Sequence, residues 1–377
     1  MATCPPLFFT VAMPVPDAEK SPNVTSSLDM AALANDIKRW SSDLGFQQTG
    51  ITDTQLDEAE AHLMNWLKAG RHGEMAYMAA HGHKRSQPAL LQPGTIRIIS
   101  VRMDYLPPAA ADAAVVLNDA QLGYISRYAL GRDYHKVLRK RLQKLAARIT
   151  AAIGPFSYRA FSDSAPVLEK PLAQKAGLGW IGKHTNLLNQ KAGSWFFLGE
   201  LYTDLPLPVD GAAENHCGTC QACIDVCPTQ AITGPYQLDA RRCISYHTIE
   251  LRGAIPLEFR RLIGNRVYGC DDCQLVCPWN RFARPSGEPD FMPRTGLDAP
   301  QLVELFAWSE AEFLRRTEGS AIRRIGYECW LRNVAVGLGN APTSPQVIAA
   351  LQVRLGHPSE LVREHVLWAW EQHHGSA

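Results

Sequence analysis

The chain is 377 residues long and almost neutral, with 38 Lys and Arg against 37 Asp and Glu, and 46% of its residues are apolar. It is long enough for two or three domains that each bury a core, and no apolar run approaches the roughly 18 residues of a membrane span. A net charge of +1 excludes a globally basic nucleic-acid binder, so any nucleic acid would have to be met by local patches.

Taken in chain order, residues 1–28 are expected to form a disordered tail. Pro5, Pro6, Pro14 and Pro16 interrupt it and a positive leading segment is lacking, so it makes a poor signal peptide and the protein is expected to be cytoplasmic. Over 29–46, Met30, Leu33, Ile37, Trp40 and Leu44 recur at helical spacing, and Gly45 closes the pattern. Segments 47–52, 95–105, 156–162 and 194–203 are rich in strand formers, with helical patterns at 53–69, 133–152 and 167–177 between them. This alternation predicts an α/β domain over 29–206. Gly177, Gly179 and Gly182 follow a helix rather than a strand, so they read as a turn with close backbone approach and not as a dinucleotide loop. Pro206, Pro208 and Gly211 then break the pattern, and a turn-rich cysteine segment occupies 207–295. From 299 onward nearly every window is helical (302–306, 310–316, 330–338, 345–355, 360–372), which predicts a stack of short helices of HEAT type over 296–377.

Of ten cysteines, eight lie between Cys217 and Cys277 at mostly two- and three-residue gaps, a spacing that suits metal centres better than a disulfide framework. The run Cys217-x-x-Cys220-x-x-Cys223-x-x-x-Cys227-Pro228 has bacterial ferredoxin spacing, in which the fourth thiolate ligates the other of two [4Fe-4S] clusters. A second run, Cys270-x-x-Cys273-x-x-x-Cys277-Pro278, lacks a leading cysteine because Val267 stands there, and Cys243 supplies the missing ligand. The expected sets are Cys217, Cys220, Cys223 and Cys277 for one cluster, and Cys227, Cys243, Cys270 and Cys273 for the other. Two structural zinc sites are the alternative that C-x-x-C pairs leave open. Cys4 and Cys329 are expected to be bystanders, Cys329 as a small core residue.

Two clusters relay electrons to another centre, which the preceding domain should hold. No Walker sequence is present, and a flavin needs no compact motif. Here the segments from Tyr128 to His135, Asp163 to Glu169, Ala176 to Lys183, Arg242 to Ser245 and Gly264 through Pro278 become informative. In this order they resemble the epoxyqueuosine reductases, over residues 29–330, with the first 28 residues as an addition. The resemblance implies three units: an α/β N-terminal cobalamin-binding domain, a bacterial-type two-cluster ferredoxin domain and a HEAT-like helical C-terminal domain. It implies reduction of epoxyqueuosine to queuosine at the wobble position of tRNAs with a GUN anticodon, with an external low-potential electron donor, no membrane association and a monomeric chain. It also implies cobalamin contacts at Arg85, Ser126, Asp163, Leu187, Asn189, Leu198, Ser245 and Asp271.

The histidine element D-x-H-x-x-G is approached at Asp133-x-His135-x-x-Leu138 but lacks its glycine, so Asp133 reads as a helix cap and His135 as lining a pocket or that helix's first turn. Opening an epoxide to an alkene requires a proton for the departing oxygen, and the resemblance places the donor at Asp163. Burial against a corrin face there is expected to raise its carboxyl pKa; by residue type alone Asp163 reads as a helix cap. Three basic clusters are candidates for phosphate contact: Arg132, Lys136, Arg139, Lys140, Arg141, Lys144 and Arg148; Arg260, Arg261 and Arg266; and Arg315, Arg316, Arg323 and Arg324. Two rival readings are a cobalamin or flavin reductase of a small molecule, akin to reductive dehalogenases, and a noncatalytic electron carrier.

Overall fold

A computed structural model of the protein describes residues 28–375. The tail expected over 1–28, with Cys4, lies outside the described residues apart from Leu28. Helix α1 (Met30–Asp43) begins where Asp29 accepts hydrogen bonds from the Ala31 and Ala32 amides at 2.9 and 3.0 Å, and it buries Leu33, Ala34 and Ile37 as the periodicity predicts. It is followed by β1 (Gln48–Thr52), α2 (Asp57–Lys68), β2 (Arg97–Asp104), α3 (Tyr134–Ile153), β3 (Tyr158–Phe161), α4 (Glu169–Lys175) and β4 (Phe196–Thr203).

The four strands form one sheet in the order β1, β2, β4, β3, and every pairing is antiparallel. The alternation of strand and helix therefore does not make the parallel sheet in which ligands gather at strand carboxyl ends. Between β1 and β2 the chain adds several short turns after α2 and returns to the end at which β1 finished, so the next strand runs the opposite way. Helices α1 and α3 cover one face, packing Ile37, Leu138 and Leu142 on Ile51, Ile99 and Leu201. Leu56 and Leu172 pack with Ile98, Phe161 and Tyr202 on the other. Covered on both sides, β2 and β4 are buried almost throughout, including the polar Ser100, Arg102 and Glu200. The Gly177–Gly182 turn behaves as expected: a Cβ at Gly179 would meet the Leu188 carbonyl oxygen at 2.1 Å.

Two single-turn helices, Ala222–Asp225 and Asp272–Leu275, start within the two C-x-x-C pairs and pack on each other. Beyond them the C-terminal helices centre on Gly326–Asn340, 11 of whose 15 residues are buried, Cys329 among them as expected. It packs chiefly on Glu360–His374 and Leu302–Ala307. Their core continues without a seam into the cysteine segment, joining Ile244, Val267, Leu305, Trp330 and Val366. Arg332, fully buried, donates to the carbonyls of His247, Leu251 and Gly253, each at 2.7 Å. Beside it Asn333 donates to Thr248 and Val267 at 2.8 and 2.9 Å. Among the described residues no helix is long and apolar enough to cross a membrane.

Candidate active site

Between the sheet and the cysteine segment lies a cavity of about 440 Å³. Strand β4 gives it an apolar wall in Phe196, Phe197 and Leu198, and Leu187 adds to it from the short strand that precedes β4. Cys227, Cys243, Cys270 and Cys273 line its far side, whereas Cys217, Cys220, Cys223 and Cys277 do not. Burial, and the charges of Cys277, Cys217 and Cys220, push the Cys223 thiol up to about 11. Burial raises Cys273 well above its ordinary value, with Cys243 the largest thiol contribution and Cys227 and Cys223 behind it. Among the described residues no three His, Cys, Asp or Glu converge on the volume of a single ion.

Asp163 sits in the loop between β3 and α4 with a left-handed φ of 55°, unusual outside glycine. The loop is fixed from both sides: the Asp163 amide donates to Glu169 Oε1, and the Tyr134 hydroxyl donates to Asp163 Oδ2. His135 Nε2 lies 3.2 Å from that same oxygen. Tyr134 and His135 open α3, whose cap is Asp133: its Oδ1 accepts from the His135 amide at 3.2 Å and lies 2.7 Å from His135 Nδ1. The cap assigned to Asp133 is therefore present. Asp163 caps nothing, because α4 starts only at Glu169 with Leu168 at its N-cap. Its side chain keeps 54% of its surface accessible and faces the cavity.

The pKa rise expected for Asp163 is one that a corrin face would cause, and the protein's own groups act against it. Burial pushes the pKa up, but hydrogen bonds from His135 and Tyr134 outweigh burial and hold the carboxyl below its ordinary value. His135 shows the complementary balance: burial pulls it down, and bonds to Asp133 and Asp163 leave it raised. The charge that burial resists is placed instead on a second acid pair. Burial and the Asp163 charge push Glu169 up to about 7, and burial beside Glu169 pushes Glu200 well above the carboxylate range. Glu200 is fully buried in β4, where Ser100 Oγ donates to its Oε1 at 3.3 Å and its Oε2 has no partner. Sequence reasoning passed over Glu200, although a lone acid inside an apolar strand run was the available signal. It also passed over His184, a cavity residue with a partnerless buried Nε2, whose Nδ1 accepts from the Asn186 amide at 3.1 Å.

Of the other residues singled out, Ser126, Leu187, Leu198, Ser245 and Asp271 line the same cavity as Asp163, while Arg85 and Asn189 do not. Asp271 is saturated, accepting from Tyr124 Oη, Ser126 Oγ and the Arg127 amide at 2.6–2.8 Å. Asn189 is held by Leu178 and Gln48. Arg85 is buried with Tyr77 and Asp163 among the charges facing it.

The basic clusters fare unequally. Arg260 pairs with Glu364, Arg261 bonds Gly339 and Gln372, and Arg266 pairs with Asp272, so the second cluster is spent inside the protein. In the third, Arg315 and Arg316 share Glu312, and Arg324 turns to Asp133, leaving Arg323 exposed. In the first cluster Arg132, before α3, and Arg141 and Arg148, on it, are paired, whereas Lys136, Arg139, Lys140 and Lys144 of α3 are exposed without an acidic partner among the described residues. Arg139 Nη2 donates to Ser164 Oγ, which brings this face to the edge of the Asp163 loop.

Residues 216–280 match the family described as "4Fe-4S double cluster binding domain", and residues 85–164 match "Epoxyqueuosine reductase QueG, DUF1730". The epoxyqueuosine reductase of Pseudomonas aeruginosa is 67% identical over 346 residues, spanning 92% of this chain and 96% of its own length. That of Escherichia coli is 59% identical over 350 residues, spanning 93% and 92%. Among solved structures, an epoxyqueuosine reductase bound to an epoxyqueuosine-modified tRNA-Tyr stem loop superposes with a TM-score of 0.80 at 25% identity, covering 92% of this chain and all of that one. The Bacillus subtilis enzyme, captured with its catalytic aspartate loop swung out of the active site, gives 0.81 at 28%, covering 91% of each chain. With two-thirds of its residues shared along nearly its whole length, this chain belongs to the epoxyqueuosine reductase family.

Proposed function

We infer that the chain reduces epoxyqueuosine to queuosine in tRNA, with Asp163 as the proton donor to the departing epoxide oxygen. The observation that carries this reading is the placement of the Asp163 carboxylate and four cysteines of the two-cluster segment around one cavity. That tRNA is the substrate is supported by the relatives named above, and the exposed Lys136, Arg139, Lys140 and Lys144 give a phosphate-binding face beside the Asp163 loop. Such contacts position a stem, and the modified base must be splayed out of its loop to reach the acid at the cavity. We assign the GUN-anticodon tRNAs as substrates, and place the protein in the cytoplasm as a monomer served by an external low-potential electron donor.

The residues present fit both implied cofactors. Two thiol groups of four, neighbours in space but not convergent on a single ion, suit two cubane clusters better than two zinc ions. We assign Cys227, Cys243, Cys270 and Cys273 to the cluster at the cavity, and Cys217, Cys220, Cys223 and Cys277 to the outer one. The apolar wall of β4 and the orphaned His184 Nε2 donor suit a large, flat, amide-rimmed ligand such as cobalamin, held by Ser126, Leu187, Leu198, Ser245 and Asp271 with Arg85 and Asn189 behind. Bound there, it supplies the low-potential electrons that the clusters deliver. The division into 29–206 for cobalamin, 207–295 for the clusters and 296–377 as a HEAT-like stack belongs to the same proposal.

The protein's own part is to orient and supply protons. Tyr134 and His135 aim the Asp163 carboxyl, and the Glu169 bond to its backbone holds the loop closed. The swung-out loop of the Bacillus enzyme supports reading residues 162–166 as a segment that opens. In Asp163→Asn, cofactor and tRNA binding are expected to persist while single-turnover conversion, followed by nucleoside mass spectrometry, falls roughly 100- to 10,000-fold. Wild-type rates in that variant would remove Asp163 from the chemistry.

A further inference from the structure

Removing an epoxide oxygen as water consumes two electrons and two protons: both C–O bonds break and a C=C bond forms. A single carboxyl holds one proton, so Asp163 must be recharged within the turnover. Resting on the reductase reading above, we propose that His135 is the proton source behind Asp163, passing a proton from Nε2 to the Asp163 carboxylate for each of the two transfers.

The geometry is that of a relay. His135 is 6% exposed, so its ring is held and screened rather than freely hydrated. Nε2 lies 3.2 Å from Asp163 Oδ2, and Nδ1 lies 2.7 Å from Asp133 Oδ1. The charged groups facing the ring come from four places: Asp133 from the cap of its own helix, Asp163 from the β3–α4 loop, Glu169 at the start of α4, and Arg324 from the C-terminal region, 2.9 Å from Nδ1. Asp133 and Asp163 bring two negative charges and Arg324 one positive, so an imidazolium leaves the contact group neutral. That agrees with the upward displacement of the His135 pKa.

The sequence of transfers balances. The imidazolium gives its proton to the Asp163 carboxylate, which delivers it to the oxygen as the first C–O bond breaks, leaving a hydroxyl, a carboxylate and a neutral imidazole. The imidazole takes a proton from solvent and passes it to the carboxylate in the same way. Asp163 then protonates the hydroxyl, which leaves as water as the alkene forms, and a last proton from solvent restores the imidazolium. The two electrons are those supplied by the clusters. Asp133 does not touch substrate and is a positioning residue: it fixes the ring and favours its charged form.

Two measurements test this. In the full chain without added cobalamin, carrying 15N-labelled histidine, NMR should show a His135 imidazole that titrates above the ordinary value of about 6.5 and moves to lower pH in Asp163→Asn. A His135 signal titrating below that value overturns the proposal whatever the activity. In the loaded enzyme, conversion of epoxyqueuosine tRNA should decline as pH rises through the His135 titration, because the protonated form is the active one. His135→Gln should be slower by roughly 100-fold and lack that limb, with tRNA affinity unchanged. An identical profile and rate in His135→Gln overturns it. Should that variant misfold, Asp133→Asn keeps the ring but withdraws a charge, and must move the limb to lower pH. If the wild type converts no tRNA at all, the reductase reading fails instead, and the imidazole titration still decides whether His135 is charged beside Asp163.

Discussion

Arg324 donates to the carboxylate of Asp133 across 191 residues of sequence, tying the C-terminal region to the cap of the helix that carries His135. Burial opposes ionisation of Asp133, but its bonds to His135 and Arg324 bring its pKa down to about 2. In Arg324→Met we expect a lower thermal midpoint at pH 7, by an amount equivalent to about 1 kcal/mol, since Arg324 is half exposed and water screens the pair. A depressed acid contributes its stability above the unfolded carboxylate value and loses it as pH falls through the folded one. The difference between variant and wild type should therefore shrink in acid.

Cys243→Ala should lower iron from about eight to about four per chain and abolish turnover. Of the other described cysteines, four are assigned to the outer cluster and Cys329 is enclosed in the helical core, so none is left to replace it. Iron analysis after anaerobic reconstitution measures this directly, and retention of all eight irons would require a different fourth ligand.

Replacing Arg139, Lys140 and Lys144 together by Gln should weaken tRNA binding, and each lost phosphate contact should reduce the salt slope of affinity by roughly one unit. Iron content should stay unchanged. The same treatment of Arg260 and Arg261 should instead cost stability with no change in salt slope, because their guanidinium groups are bonded within the protein.

Glu200→Gln should stabilise the protein above neutral pH. An acid whose folded pKa is raised above its unfolded value binds more protons when folded, so its contribution to stability falls as pH rises from about 4.5 toward the folded value. Glutamine removes that slope. We expect the variant's thermal midpoint to match wild type near pH 5 and to exceed it at pH 8. A constant difference at both pH values would mean that Glu200 does not carry the proton.

The cysteine pattern was legible because ligand spacing along a turn is set by local backbone geometry. Four of the five predicted C-terminal helices appear within a few residues of their expected bounds for a similar reason, since helical periodicity is local; only Gly326–Asn340 starts clearly earlier than 330–338. Strand direction was not legible: whether β2 returns beside β1 depends on the path of the irregular segment between them. The basic residues show the same limit. Arg260 reads as a surface charge until Glu364, 104 residues away, is folded against it. The Asp163 environment required three distant partners, Tyr134, His135 and Glu169, and only the family resemblance drew attention to that aspartate, while giving no hint that its pKa is held down.

Arg332 and Asn333 grip the backbone between Cys243 and Cys270 from a helix that contributes no ligand. Removing either would strand buried carbonyls, each costing roughly 1–3 kcal/mol unpaired. Evolutionary drift in the C-terminal helices is thereby coupled to the electron relay. A substitution far from any cysteine can surface as an iron-loading defect, so this helix and the cluster segment must change in step or not at all.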